Sequence, residues 1–499
     1  MNDPRLALSP GVLNAEGAPV LEALDRLRPV IRVGSGLHPA AATAIGGLYS
    51  LLVRVHPHAV IDGDAPMGPN PWGAESLLEL PCRIAPSRVE PAVPAGQDLV
   101  IGAGLSVSGA DIWIGGNDWT ARQGDSPQPL DVAEHGLGVH AAAALVASEV
   151  MKIALGKLAM MHVRTGGTLV WNLIDYCLAP APDLAGMDVR GLTVALLGAG
   201  SVGSSSAGLV VCDPATCGFA WIVDPDSYDP SRNPYRYAAS TGRESGPKAD
   251  WLADLLRHHG WQAKGHVGAV ADWVRNQPDP GFDGIVVSSV DRVDSRLDVA
   301  DVLARTTLSV GIDGLALHIQ REHPLDEWAC PYCDFVSLAP PMTRLQALAN
   351  MVGLPVVRVA ELELEGAVLD ADDLAAVAAQ GKVHAARALS LVGRRLDDLR
   401  NRVYAEATVP VDGTAPTTVS APYVSWMAGV LVASELAKAA RGLELVDRRV
   451  DLDMSGVPLG AVRRRARDSS GHCVCWSPWR RRWATRMYPR ITTRVASSS

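Results

Sequence analysis

Two doubly wound α/β domains in tandem are the fold this sequence predicts, and three observations carry it. Short apolar runs of strand type alternate with helical stretches. The order strand, Gly turn, helix, strand, Asp occurs twice. The segment Leu145–Lys152 (LVASEVMK) recurs as Leu431–Lys438 (LVASELAK) in similar Ala-rich surroundings. Such alternation indicates a parallel sheet with helices on both faces, and a repeated unit points to a duplicated domain. The 499 residues, 48% hydrophobic and 20% charged, are ordinary globular material with length enough for two large cores.

In the first half an apolar strand runs into Gly34-Ser35-Gly36, and a second strand ends at Asp62 and Asp64. In the second half Leu192–Leu197 runs into Gly198-Ala-Gly-Ser-Val-Gly203, and the next strand ends at Asp224 and Asp226. Later pairs agree: Asp98–Gly102 parallels Gly284–Ser288, and Ala110–Gly115 parallels Thr307–Gly311. Pro180, Pro182 and Asp183 break the pattern, so the first domain is expected over 1–182 and the second over 183–499. The second is enlarged by an insertion at about 334–420. There the Leu/Ala/Val spacing from Met342 to Leu399 and the starter Asp370–Asp373 read as helical.

Composition removes several classes of function. A net charge of −9 argues against nucleic acid as the main partner, because neutralising phosphates needs a basic face. The longest apolar runs, near 137–161 and 421–441, are interrupted by Glu149, Lys152, Glu435 and Lys438, and the start lacks a basic-then-apolar signal pattern. A cytoplasmic protein with no membrane partner is therefore expected. Eight cysteines are too few for a disulfide scaffold, so close pairs among them suggest metal.

Gly198-x-Gly200-x-x-Gly203 stands where a nucleotide-binding turn requires it, after a strand and opening a helix, with an acidic strand end at Asp224. This alone suits NAD, FAD or ATP. Further polar groups follow: Asn233-Pro-Tyr-Arg236 in a loop, Gly246-Pro-Lys248 opening a helix, and Asp291 closing a strand with Arg296 five residues on. Separate loops thus bring an Asn, an Arg, a Lys and an Asp to the carboxyl ends of a parallel sheet, where such folds bind ligands. Hydride transfer needs no phosphate clamp of this kind, whereas cleavage of ATP does.

This set of motifs resembles the ThiF/MoeB and ubiquitin-activating enzyme superfamily, over about 192–335 closely and by architecture over the whole chain. Two departures stand out: the loop before Asn233 is one residue longer, and Tyr237 replaces the Gln that often follows the Arg. The resemblance implies two tandem Rossmann-like domains and ATP-dependent adenylation of the C-terminal carboxylate of a ubiquitin-like or sulphur-carrier protein, with release of pyrophosphate. The alternatives are a peptide-tailoring adenylyltransferase acting on a ribosomal peptide and a non-catalytic scaffold of the same fold. It implies that Gly198, Gly200, Gly203, Asp224 and Asp226 bind the nucleotide, with Asp224 on the ribose. Asn233 and Arg236 would contact phosphates, Lys248 would stabilise charge at the α-phosphate, and Asp291 would hold Mg²⁺. The implied partners are a small ubiquitin-like protein ending in Gly and a downstream conjugating or acceptor protein.

The first half lacks these groups. It has no third Gly in its turn, and after Asp64 no Arg or Lys until Arg83. By the resemblance it is an inactive copy that stands in for the second subunit of a homodimer, with Arg5 as the candidate to reach into the active site.

Cys330-Pro-Tyr-Cys333 has the spacing of a zinc knuckle, and Cys473-Val-Cys475 lies far down the chain with His472 beside it as a possible replacement ligand. A structural Zn²⁺ held by Cys330, Cys333, Cys473 and Cys475 is expected. Thioester-forming members place a nucleophilic Cys after the first knuckle, yet residues 334–472 contain none. Cys212 and Cys217 are expected in the core at the end of the helix after the Gly turn. Arg463–Arg465, Arg480–Arg482 and Arg486, with Trp476, Trp479 and Trp483, are expected to form a solvated strand pair around the knuckle, followed by a basic tail.

Overall fold

The computed structural model describes residues 14–84, 93–156, 163, 166–182, 184, 186–231, 233–277, 281–291, 293–325, 327–333, 336, 344–380, 383, 388–389, 391–403, 408–409, 417–418, 421–447, 449–455 and 461–488. Two sheets organise them. The first unit contains α1 (Asn14–Arg26), β1 (Leu27–Val33), α2 (Pro39–Val53), β2 (Val60–Asp62), α3 (Leu80–Arg83), β3 (Gln97–Ala103), β4 (Ile112–Gly116), β5 (Thr120–Gly124), α4 (Leu137–Leu155) and β6 (Leu169–Asn172). Its strands lie in the order β2-β1-β3-β4-β5-β6. The first four are parallel, and β5 and β6 extend the sheet antiparallel.

The second unit begins with β7 (Leu192–Leu197), α5 (Ser201–Val210), β8 (Gly218–Asp224), the single turn α6 (Asn233–Arg236), α7 (Lys248–His258) and β9 (Gln262–Val267). It continues through α8 (Val270–Arg275), β10 (Phe282–Ser288), α9 (Val293–Asp301), β11 (Ala304–Asp313) and β12 (Ala316–Glu322). Then come α10 (Arg344–Val352), α11 (Val356–Leu364), α12 (Ala371–Ala379), α13 (Leu396–Val403), the hairpin β13 (Thr408–Val409) and β14 (Thr417–Thr418), and α14 (Pro422–Ala440). Last are β15 (Arg449–Asp453), β16 (Ala461–Arg463) and α15 (Pro478–Met487). The eight-stranded sheet runs β16-β15-β12-β11-β10-β7-β8-β9. From β9 to β11 it is parallel, so the strand order reverses between β7 and β10, the switch point at which open α/β sheets bind ligands.

The two doubly wound units predicted from the sequence are therefore present, with three differences. Each parallel sheet is continued by antiparallel strands, β5 and β6 in the first and β12, β15 and β16 in the second. The basic end is a strand pair only as far as Arg463. Residues Pro478–Met487, with Arg480–Arg482 and Trp483, are helical, started by the Ser477 side chain, which accepts from the Arg480 N–H. Cys217 is exposed rather than in the core, because α5 stops at Val210 and the chain has turned outward; Cys212 is buried as expected.

The two sheets share one apolar core. Helix α4 of the first unit packs on α2 beside it and on α14 of the second, which in turn packs on α5, and nearly every residue of α2, α4 and α14 is buried. Close approach comes from small residues: a Cβ added at Gly429 on α14 would lie 2.7 Å from the Ser205 Cβ of α5. The Leu137–Leu155 helix has the length and apolarity to cross a membrane, but 89% of its most apolar window is buried in this core. Helices α10 to α13 pack on a separate core of Leu348, Val352, Val359, Leu362, Leu374 and Val377. There the Asp370 and Asp373 side chains cap each other's backbone at the start of α12, as their spacing predicts.

Candidate active site

The Gly turn joins β7 to α5. Gly198 has φ +97°, and a Cβ at Gly203 would meet the Gly198 carbonyl at 2.0 Å, so both positions require glycine for the helix to start this close to the strand. A Cβ at Gly200 would meet nothing within 4 Å. The turn is thus tight on its protein side and open above Gly200, as a nucleotide cradle must be.

Asp224 ends β8 beside this turn. Its Oδ2 accepts from the Ala199 N–H at 2.6 Å and its Oδ1 from the Asp226 N–H at 2.8 Å. Burial outweighs those bonds and raises its pKa above the usual carboxylate value. Lys248, the first residue of α7, is brought to the same strand end by its own N–H, which donates to the Asp226 carbonyl at 2.9 Å. Its Nζ donates to Asp226 Oδ2 at 3.0 Å. Burial would lower the Lys248 ammonium, but Tyr237, Asp226 and Asp224 together hold it above the ordinary lysine value.

Asn233 and Arg236 lie on α6, in the loop between β8 and α7. Asn233 Oδ1 accepts from the Asp229 N–H at 2.7 Å, which closes the long loop before it. Tyr237, at the position of the missing Gln, stacks on Trp251 of α7 with ring centroids 6.3 Å apart and planes at 9°. The tyrosine therefore joins the Arg236 loop to the helix that carries Lys248. Asp291 is exposed just past β10, while Ser289 Oγ donates to the Gly198 carbonyl at 2.9 Å, fastening the Asp291 loop to the Gly turn. Arg296 is on α9.

The first unit builds a different end to its strands. Asp62 pairs with Arg32 at 3.4 Å instead of supporting a turn. Helix α2 starts with Pro39, which offers no N–H, and His38 Nδ1 accepts the Ala40 N–H at 3.3 Å. Arg5 lies outside the described residues. Contacts from the first unit to the loop after Arg236 come instead from Ser50, Arg54 and Trp72, all of which reach Ala238. Nothing in the sequence marks Arg54, since a lone arginine at the end of an apolar helix reads as solvated.

The four cysteines converge. Cys330 Sγ is 3.7 Å from Cys333 and 3.4 Å from Cys473, and Cys333 is 3.6 Å from Cys473 and 3.7 Å from Cys475. A tetrahedron of thiolates at about 2.3 Å from zinc has edges of about 3.8 Å, so these residues fit the metal. The Cys-x-Cys spacing suffices because Val474–Trp476 form a short 3₁₀ turn that brings Cys475 back. His472 is exposed, and its backbone N–H bonds Asp468; the cluster is complete without it.

No protein-family model matches this chain, and no curated protein does. Solved structures that resemble it include MccB from E. coli with MccA-N7isoASN, at 14% identity and TM-score 0.33 over 57% of this chain and 67% of that one. Another is the microcin C7 biosynthetic enzyme MccB in complex with N-formylated MccA, at 14% identity and TM-score 0.34 over the same shares. A third is E. coli MccB with ATP, at 12% identity and TM-score 0.33 over the same shares.

Proposed function

We propose that this chain is an ATP-dependent adenylyltransferase that activates a terminal carboxylate of a protein or peptide. The observation that supports this most is the gathering of Asp224, Asp226 and Lys248 at one strand end beside a glycine turn that is open above Gly200. In this reading the acceptor carboxylate attacks the α-phosphorus, a P–O bond forms, and the bond to the β-phosphate oxygen breaks to release pyrophosphate. Anion meets anion, so positive charge must offset the growing negative charge. Lys248 would leave Asp226 for the α-phosphate, Arg236 and Asn233 would hold the outer phosphates, and Asp224 would hold the ribose. Asp291, an oxygen ligand open to solvent, suits Mg²⁺, which when bound would neutralise charge on the leaving pyrophosphate.

Two acceptors suit this site. One is a ubiquitin-like or sulphur-carrier protein ending in Gly. The other is a short ribosomal peptide, and it is favoured by the lack of any cysteine between 334 and 472, the segment where a thioester would form. Such an enzyme would stop at the adenylate.

The test is ATP–pyrophosphate exchange with each class of acceptor. Lys248→Ala and Asp291→Ala should each lower the rate by orders of magnitude. Wild-type rates in both variants would refute the site.

A further inference from the structure

The Ala238 carbonyl, in the second unit, accepts three hydrogen bonds from the first. Ser50 Oγ donates at 2.7 Å, Trp72 Nε1 at 2.9 Å and Arg54 Nη2 at 3.1 Å. The same Arg54 nitrogen donates to the Ser240 carbonyl at 2.5 Å. Ser50 and Arg54 are one turn apart at the end of α2, so both face the same loop. All three donors and both acceptor residues are buried.

This loop is short and tightly built. The Tyr237 N–H donates to the Asn233 carbonyl and the Ser240 N–H to the Tyr237 carbonyl, each at 2.9 Å, so Tyr237–Ser240 continues the single turn that carries Asn233 and Arg236. On its other side a Cβ at Gly208 of α5 would fall 2.5 Å from the Ala239 Cβ, so the loop is pressed against the helix that opens at the Gly turn. Arg54 thus grips the far end of a segment whose near end holds Arg236, and whose Tyr237 leans on the Lys248 helix.

A buried guanidinium is a poor way to gain stability. Arg54 is fully buried, its Nε and Nη1 have no partner among the described residues, and burial brings its pKa down to about 10. The guanidinium supplies one NH2 group, Nη2, whose two hydrogens bridge carbonyls two residues apart.

We propose that Arg54 is a positioning residue of the adenylation site, supplied by the first unit to hold the 237–240 turn and so to aim Arg236. The proposal rests on the adenylyltransferase reading for its catalytic consequence, but its structural half is testable alone. Hydrogen–deuterium exchange on the intact chain compares wild type with Arg54→Met. Amides within 233–248 should exchange faster, on the order of tenfold, while those of α4 and α14 stay protected. In pyrophosphate exchange the same variant should lose roughly ten- to hundredfold in kcat, the size expected for a misplaced catalytic group, with the KM for ATP near wild type. Arg54→Lys, which keeps a charged donor on a shorter side chain, should recover part of the loss. Ser50→Ala removes one donor at little change of shape, Trp72→Phe removes another together with part of a buried ring, and each should loosen the same segment to a smaller extent. They decide the matter if Arg54→Met does not fold. Unchanged exchange across 233–248 would overturn the proposal, and so would a loosened segment with wild-type kcat. A wild-type chain with no pyrophosphate exchange for any acceptor would instead overturn the adenylation reading, and hydrogen exchange would still decide the role of Arg54.

Discussion

The Glu435 carboxylate and the Lys438 ammonium lie 2.6 Å apart on α14, and neither is exposed. Glu435 also accepts from the Tyr176 hydroxyl of the first unit and from the Val446 N–H, each at 2.6 Å. The Lys438 ammonium sits 4.4 Å from the centre of the Tyr176 ring. The recurring segment places the same pair on α4 as Glu149 and Lys152, 2.7 Å apart and almost as buried. Ser148 of that copy donates to the Met454 carbonyl across the interface, and Ser434 lies 3.3 Å from Tyr176. What the sequence shows as a repeat is a pseudosymmetric pair of buried ion pairs at the junction of the units.

Removing one partner should therefore be costly. Glu435→Ala leaves the buried Lys438 without its carboxylate partner, and should destabilise the chain by about 3–5 kcal/mol in urea denaturation. Replacing both residues, Glu435→Leu with Lys438→Met, should recover most of that loss. A Glu435→Ala variant as stable as wild type would show that the pair contributes nothing.

Acid should weaken the same interface. His140 is buried beside His135 and the Trp426 ring, and burial first, then His135, lowers its pKa from the ordinary 6.5 to about 3. The folded chain keeps it neutral while the unfolded chain protonates it, so the unfolded state binds the extra proton. Stability should thus fall as pH drops below about 6.5, by roughly 1.4 kcal/mol per pH unit for this residue, and level off near 3. Urea curves at pH 7, 6 and 5 should show a shallower dependence in His140→Phe. An unchanged slope would contradict the assignment.

The purified chain should contain about one zinc. Cys330→Ser with Cys333→Ser should remove it and lower the melting temperature, because ligation is coupled to folding. Elemental analysis finding no zinc in the wild type would refute this.

ATP should bind once per chain, in the second unit. Asp62 is held by Arg32 and the α2 start lacks the proline N–H, so calorimetry should give a stoichiometry near one. A chain beginning at residue 183 would lose Ser50, Arg54 and Trp72 and expose the face of α14 that α4 covers. It should be inactive even though Gly198, Asp224, Asn233, Arg236, Lys248 and Asp291 remain. A soluble, fully active truncation would remove the need for the first unit.

Strands buried on both faces, such as Leu192–Leu197, announce themselves as continuous apolar runs, so the parallel part of each sheet was legible. The Gly turn and the cysteine pairs were legible because their spacing is set by local geometry. The antiparallel strands were not: Arg449–Asp453 is five residues with two charged aspartates, and it becomes a strand only through pairing with Ala316–Glu322, over a hundred residues away. Helix α15 was hidden by its three consecutive arginines, of which Arg480 is taken up by Asp301 and the Ala300 carbonyl. Arg54 was the hardest to foresee, since its two acceptors are backbone carbonyls, which no residue pattern reveals.

The placement of α14 has a consequence for how the chain is made. This helix completes the shared core, yet it lies about 270 residues after α4, which it covers. At roughly 5–20 residues per second, a ribosome takes tens of seconds to pass from one to the other. Throughout that interval the apolar face of α4 that α14 covers has no partner. The first unit therefore stays open to aggregation until Pro422–Ala440 has been made.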